Sequence, residues 1–483
     1  MAFKHGAYYS EQATSIISPV ATEAGMPVVF GTAPVHLAVH LASEINVNKP
    51  ILCNSYEEAV TALGYSEDWK KYTLCEVMYS QFSLFGYSPI VFVNVLDPSK
   101  HKESKNDETV IVTEGKASIS EPVILSTLKV KKASAGEELV LDTDYTATYD
   151  DSEVLQIELI SEEAKELESI YCDYDKIDAS LVKKEDIIGG VDVSTGALKG
   201  LELIEEIFPR TLKVPGIIIA PRWSTDSEVA AVMAAKTEKI NEIFNCICIV
   251  DIPTDTVTKY TDVPSYKNKN NLTDENVFVG WPKFKLGEKQ YFPSTQAIGT
   301  INQTDAQLGN GVPYYSPSNQ SIQADSCCLE DGTEVFLTLN QANYLNENGI
   351  FTALNFIGGW KLWGNYTAAA PDNTDVKDCW LNQRRMFQYI GNTVVRTMWQ
   401  KVDNPTNTAL IKTVLDSINI WLNGLTGTAL LGARVEFLES ENPTTDLLAG
   451  KIKFHIYMAA PVPNQEMDFV LEYDTSYLST LFS

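Results

Sequence analysis

Apolar residues in this chain follow two rhythms. Four runs are apolar almost without a break: MPVVFG from Met26, PIVFVNVL from Pro89, VPGIII from Val214 and CICIV from Cys246. Runs of this length bounded by Pro, Gly or Asp predict strands buried on both faces, as in a parallel sheet. Between them the period lengthens. Ser55 and Glu58 have capping-box spacing for a short helix, residues 72–86 suit a longer one, and Thr225 with Glu228 opens a helix over 227–245 that turns Val229, Val232, Met233, Ala235 and Ile240 inward. Alternating strand and helix predicts an α/β frame with right-handed crossovers.

Two further helices are predicted near the C-terminus. One covers 378–400, with Met386, Ile390, Val394 and Met398 on one stripe; the other covers 408–423, with Ile411, Val414, Ile418, Trp421 and Leu422 inward and Gly424 placed to end it. Strict alternation follows. Over 451–459, Ile452, Phe454, Ile456 and Met458 alternate with Lys451, Lys453, His455 and Tyr457, and over 467–474, Met467, Phe469, Leu471 and Tyr473 form one face. The intervening PVPN disfavours a tight hairpin, which frees the last strand to pair elsewhere.

The α/β rhythm breaks at Pro98. Thr- and Val-rich runs from 106 to 175 predict short antiparallel strands, hence a small inserted β domain. Residues 253–335, rich in Asn, Thr, Pro and Tyr, read as long surface connections around a few short elements. The resulting division is 1–22 as an N-terminal arm, 23–105 with 181–350 as an α/β domain, 106–180 as the inserted β domain, 351–464 as a C-terminal α/β core and 465–483 as a C-terminal arm.

Composition narrows the function classes. The chain has 483 residues, 44% of them hydrophobic, enough for several packed cores. No apolar run reaches the ~18 residues that span a bilayer, and no basic-then-apolar leader opens the sequence, so manufacture in a cytoplasm is expected. A formal charge of −27 argues against direct nucleic-acid binding, which needs clustered Lys and Arg. The acidic stretch 153–186 contains no calcium loop and reads as a solvated face. Eight cysteines are too sparse for a disulfide scaffold, and Cys246 and Cys248 would share one side of a strand as buried thiols. The Asn-x-Ser/Thr sequons at Asn271, Asn302, Asn319 and Asn365 read as coincidence.

A search for catalytic chemistry finds little. There is no phosphate loop, no dinucleotide Gly-x-Gly-x-x-Gly and no Gly-x-Ser-x-Gly elbow. His36 and His40 are four apart but lack the Glu of a zinc helix, and the other histidines are His5, His101 and His455. Asp251, at the end of an expected strand, is the most tempting acid. No partner base accompanies it, so a local hydrogen-bonding role is expected. Arg384 and Arg385 read as an internal or inter-subunit ion pair. No catalytic residue, cofactor or metal is expected; the alternatives are a degenerate α/β hydrolase-like enzyme using Asp251, or a surface-binding module in the inserted β domain around Tyr145, Tyr149, Tyr171 and Tyr174.

Four strings, in order, carry a resemblance. They are WKLWGNYT from Trp360, LNQRRM from Leu381, GTALLG from Gly427 and NPTTDLLAGKIKFHIYMAAPVPNQE from Asn442. Together with HGAYYSEQ, SPVAT and VVFGTAP near the start, KVPGIIIAPRWSTDSEVAAVM, LVLDTDYTATYDD and TLNQANYLNENGI, they resemble contractile tail sheath proteins of bacteriophage tails and phage-derived injection particles. VDNPTN over 402–407 departs from the usual Glu-Pro-Asn, and Met467 stands where an aromatic is usual.

The resemblance implies a subtilisin-like α/β central domain without a triad, an inserted β domain, and a C-terminal α/β domain with strand-exchanging arms. It implies arm strands at Tyr8, Tyr9, Met467, Phe469, Leu471 and Tyr473, and an acceptor sheet at Val435, Phe437, Ile452, Phe454 and Ile456. It also places a tube contact at Lys412. The implied partners are further copies in stacked hexameric discs of a helical sheath, a tail tube protein, and baseplate and terminator proteins, with no direct nucleic acid and no membrane insertion. The implied location is a virion tail or phage-like particle assembled in a bacterial cytoplasm, and the implied work is contraction that drives the tube through an envelope.

Overall fold

A computed structural model describes residues 19–38, 46–134 and 136–482. Tyr8, Tyr9, His5 and His40 lie outside them.

The uninterrupted apolar runs form the centre of an eight-stranded sheet. Its order is Trp360–Trp363, Ile350–Asn355, Val277–Gly280, Ile247–Asp251, Ile217–Ile219, Pro27–Gly31, Ile90–Asn94 and Pro50–Cys53. The six inner strands are parallel, and the two edge strands run antiparallel to their neighbours. Alternation along each strand feeds two cores. Val28, Phe30, Ile218, Cys248 and Val250 enter one face, with Cys246 beside them as expected. Val29, Ile217, Ile219, Ile247 and Ile249 enter the other.

Local signals needed several corrections. The segment after Tyr72 is α-helical only over Thr73–Met78 and widens into a π-helix over Tyr79–Phe85, ending at Gly86 in the left-handed region. The helix expected over 227–245 stops after Ser227–Ala235; Lys239, Asn241 and Glu242 all take positive φ, which a helix cannot hold. Its cap is Asp226, whose carboxylate accepts from Glu228 N at 2.9 Å, rather than Thr225.

The reading of 253–335 as surface connection is wrong in substance. That region supplies the inner strand Val277–Gly280 and the helix Pro293–Gln307, buried from Pro293 through Asn302. Its sequence, PSTQAIGTINQTDAQ, has too few apolar residues for a helical hydrophobic rhythm. Polar contacts replace them: Thr295 O accepts from Gln81 Nε2 at 2.7 Å, and Gln296 Oε1 accepts from Gln323 N at 3.1 Å.

Between the strands Ile90–Asn94 and Ile217–Ile219, the chain makes an antiparallel unit of two three-stranded sheets. One joins Lys102–Ile111, Ser169–Ile177 and Lys129–Lys131; the other joins Lys116–Ile119, Leu155–Leu159 and Tyr145–Tyr149. They enclose a core of their own around Val130, Leu155, Ile157 and Cys172. Glu153, at a turn of this unit, accepts from Ser66 Oγ at 2.8 Å and so ties it to the α/β body.

Candidate assembly surface at the C-terminal ladder

The two C-terminal helices form where their stripes require, over Leu381–Met398 and Thr408–Leu425. The second runs through Gly424 rather than ending there. Met386, Ile390, Val414, Ile418 and Leu422 make one core with Leu430, Val435 and Ala460, while Val394, Met398 and Trp421 pack at its margin. Ile411 is only half-buried.

Against this pair lies a two-stranded antiparallel ladder, Gly432–Glu436 with His455–Ala459. The strand expected from Lys451 begins only at His455. Asn442 supplies the reason: its Oδ1 accepts from Lys453 N at 2.7 Å and its Nδ2 donates to Lys453 O at 2.9 Å, so a side chain occupies the groups a neighbouring strand would use. Val435 is buried and pairs with Ile456, whereas Phe437 and Phe454 lie just beyond the ladder with their rings 5.5 Å apart. Ile452 lies outside it.

The rim is charged. Glu441 Oε1 is 2.9 Å from His455 Nδ1, and this contact, with Lys453 nearby, holds the carboxyl below its ordinary range. Arg434 stacks on Tyr457 at 4.0 Å and pairs with Glu436 at 2.7 Å. Lys412 stands on the solvent face of its helix, in line with exposed Asp416 and Ile420 at four-residue intervals.

After Pro461 the chain leaves the body. The strand expected over 467–474 is not formed: the segment has no ladder partner among the described residues, and Phe469 is 83% and Leu471 95% exposed. Met467, Val470 and Tyr473 are exposed as well.

The other candidates lie apart from this surface. Asp251 is buried, accepts from Ser224 Oγ at 3.0 Å and from Ser294 Oγ at 2.6 Å, and also accepts from Ser294 N at 2.8 Å. Burial pushes its carboxyl up to about 6. Both serines are themselves buried, so the group knits strand end to helix start, as a local hydrogen-bonding role requires. Arg385 is an internal ion pair with Asp305, buried on both sides. Arg384 reaches Asp378 at 3.2 Å and Glu238 and Glu275 at 3.6 Å.

His36 packs between Tyr72 and Tyr149 on the wall of a cleft of about 840 Å³ beside the inserted unit. In that unit Tyr145 and Tyr174 are core residues, which removes half of the aromatic platform considered for ligand binding. Among the described residues no group of His, Cys, Asp or Glu is placed to hold a metal, and no helix is long and apolar enough to cross a membrane. Asn442, which sets where the second strand of the ladder begins, carries no signal in a hydropathy pattern.

No family model matches the chain. It is 25% identical over 501 aligned positions, covering 99% of this chain and 98% of the relative, to the tail sheath protein of Burkholderia phage BcepMu. It is also 25% identical over 320 positions, 63% of this chain and 75% of the relative, to the major tail sheath protein of Serratia phage KSP20. In fold it is similar to the sheath complex of an extracellular contractile injection system, PVC, in its contracted state, with a TM-score of 0.59, 14% identity and 99% of both chains covered.

Proposed function

We propose, from a chain that resembles contractile tail sheath proteins along its whole length, that it is the structural subunit of such a sheath. Subunits polymerise as stacked hexamers around an inner tube, held in an extended state until a baseplate signal releases them. Rigid domains then rotate into tighter packing while the arms act as tethers, and the packing energy drives the tube through a target envelope. The working location is a virion tail or phage-like particle, with terminator, tube and baseplate proteins as partners.

The observation that carries this reading is the pairing of an unburied apolar tail with an incomplete ladder. Met467, Phe469, Leu471 and Tyr473 are the arm strand, and the ladder around Val435, Ile456, Phe437, Phe454 and Ile452 is its acceptor in a neighbouring copy. Among the described residues each strand of the ladder has a strand partner on one side only. An added strand would form about four to six main-chain bonds, each worth ~0.5–1.5 kcal/mol net. A head-to-tail contact of this kind generates a helix where its rotation does not close into a ring. The parallel sheet is read as the subtilisin-like body, the antiparallel unit as an outward decoration, and Lys412 as facing the tube.

Negative-stain electron microscopy of the full chain beside a chain ending at Pro463 tests the proposal. Striated tubes from the first alone are expected, with tube protein added if no template-free assembly occurs. Tubes of normal length from the truncated chain would remove the tail from the mechanism.

A further inference from the structure

The helix Leu381–Met398 holds the chain near residue 20 and again near residue 460. At its start, Gln383, itself buried, donates from Nε2 to Ala460 O at 3.2 Å and to Pro461 O at 2.7 Å, at the point where the C-terminal tail departs. Tyr366, whose ring packs at a tilt on Trp380, extends the clamp by donating to Gln465 Oε1 at 2.7 Å.

At its other end the helix receives the incoming chain. Val20 N donates to Thr397 Oγ1 at 3.0 Å, Thr22 N donates to Thr393 Oγ1 at 3.3 Å, and Arg396 Nη1 donates to Ala21 O at 3.3 Å. Arg385 Nη2 reaches Ala24 O at 3.5 Å, so the segment runs antiparallel to the helix. The repeat matches. Alternate amides of a chain advancing about 3.3 Å per residue meet hydroxyls one turn apart on a helix advancing about 1.5 Å per residue. Thr397 Oγ1 also donates to Thr393 O at 2.6 Å, which fixes its lone pairs toward Val20.

We infer that this helix is the tie between neighbours. The chain that would reach one neighbour enters at Thr393 and Thr397, the chain that would reach another leaves at Gln383, and about 21 Å of continuous helix joins the two points. Tension applied through one arm passes along the helix to the other without crossing the sheet or the inserted unit. Thr393, Thr397 and Gln383 are thus positioning residues for assembly. This inference rests on the sheath reading above.

The test uses the full chain with Thr393→Val and Thr397→Val together, which keep shape and remove both hydroxyls, beside Thr393→Ser with Thr397→Ser, which keep them, and Gln383→Met. Hydrogen exchange of the isolated subunit reads the anchor, and electron microscopy with tube protein reads the assembly. The valine pair is expected to keep its melting temperature within a few degrees, lose about tenfold or more in protection of the Val20 and Thr22 amides, and give few or no tubes. The serine pair is expected to restore both readouts, and Gln383→Met to lose tubes while remaining folded. Undiminished protection in the valine pair, or tubes from all variants equal to those of the unaltered chain, would overturn the inference and leave the sheath reading standing. Failure of the unaltered chain to form tubes would overturn both.

Discussion

Asn419 grips both main-chain groups of Val435: its Nδ2 donates to the Val435 carbonyl at 3.3 Å and its Oδ1 accepts from the Val435 N–H at 2.9 Å. This occupies the outer edge of Gly432–Glu436 at its fourth residue. Val435 faces Ile456 across the ladder, so that pair is of the non-hydrogen-bonded kind, and the N–H groups of Ile456 and, two residues on, Met458 point to the opposite, open edge.

Proline at position 458 should therefore spare the ladder and spoil only what could be added to it. Met458→Pro is expected to remain a folded, soluble subunit by circular dichroism and to form no tubes. Tubes as abundant as those of the unaltered chain would place the acceptor edge elsewhere.

Two buried carboxyls make stability depend on pH. Burial pushes Asp251 up to about 6 and Glu76, which accepts from Phe292 N at 2.8 Å, up to about 7. A carboxyl whose folded value is raised stabilises fully below its unfolded value and loses that contribution as pH rises through the folded one. The melting temperature is expected to fall between about pH 4 and pH 7, with each group contributing roughly 3 kcal/mol at most. Asp251→Asn with Glu76→Gln should flatten the decline; an unchanged slope in the double variant would mean that other groups set it.

The Arg385–Asp305 pair joins the first C-terminal helix to the polar buried helix. Removing one partner leaves a buried charge uncompensated, at a cost of about 3–5 kcal/mol. Urea denaturation of Asp305→Asn should show that loss, and Asp305→Leu with Arg385→Met should recover a large part of it. If the double replacement is no more stable than the single one, the pair has a value beyond charge compensation.

Lys412 is exposed and forms no ion pair with Asp416 one turn away. Lys412→Glu should change stability by no more than about 0.5 kcal/mol, as is usual for a surface site. Co-assembly with the tube protein should fail while Lys412→Arg retains it. Normal loading of the glutamate variant onto tubes would show that this face is turned away from the tube.

Much of the frame was legible because its signals are local. Parallel strands buried on both faces are apolar at nearly every position, so Pro27–Gly31, Ile90–Asn94, Ile217–Ile219 and Ile247–Asp251 announce themselves, and the stripes of Met386 and Ile390 or Val414 and Ile418 mark their helices. The resemblance carried by the C-terminal strings was legible for the same reason.

What the tertiary structure decided was everything that depends on partners far away in sequence. The helix Pro293–Gln307 is polar yet buried because Gln81, Gln323, Asp251 and Arg385 reach it from elsewhere. Asn442 shortens one strand and Asn419 closes one edge, and neither amide differs in composition from a surface asparagine. The tail 467–474 alternates as a strand should, yet it is unpaired among the described residues. A strand is stabilised by a ladder rather than by its own residues, so alternation determines which face would be buried, and only a neighbouring edge determines that it is.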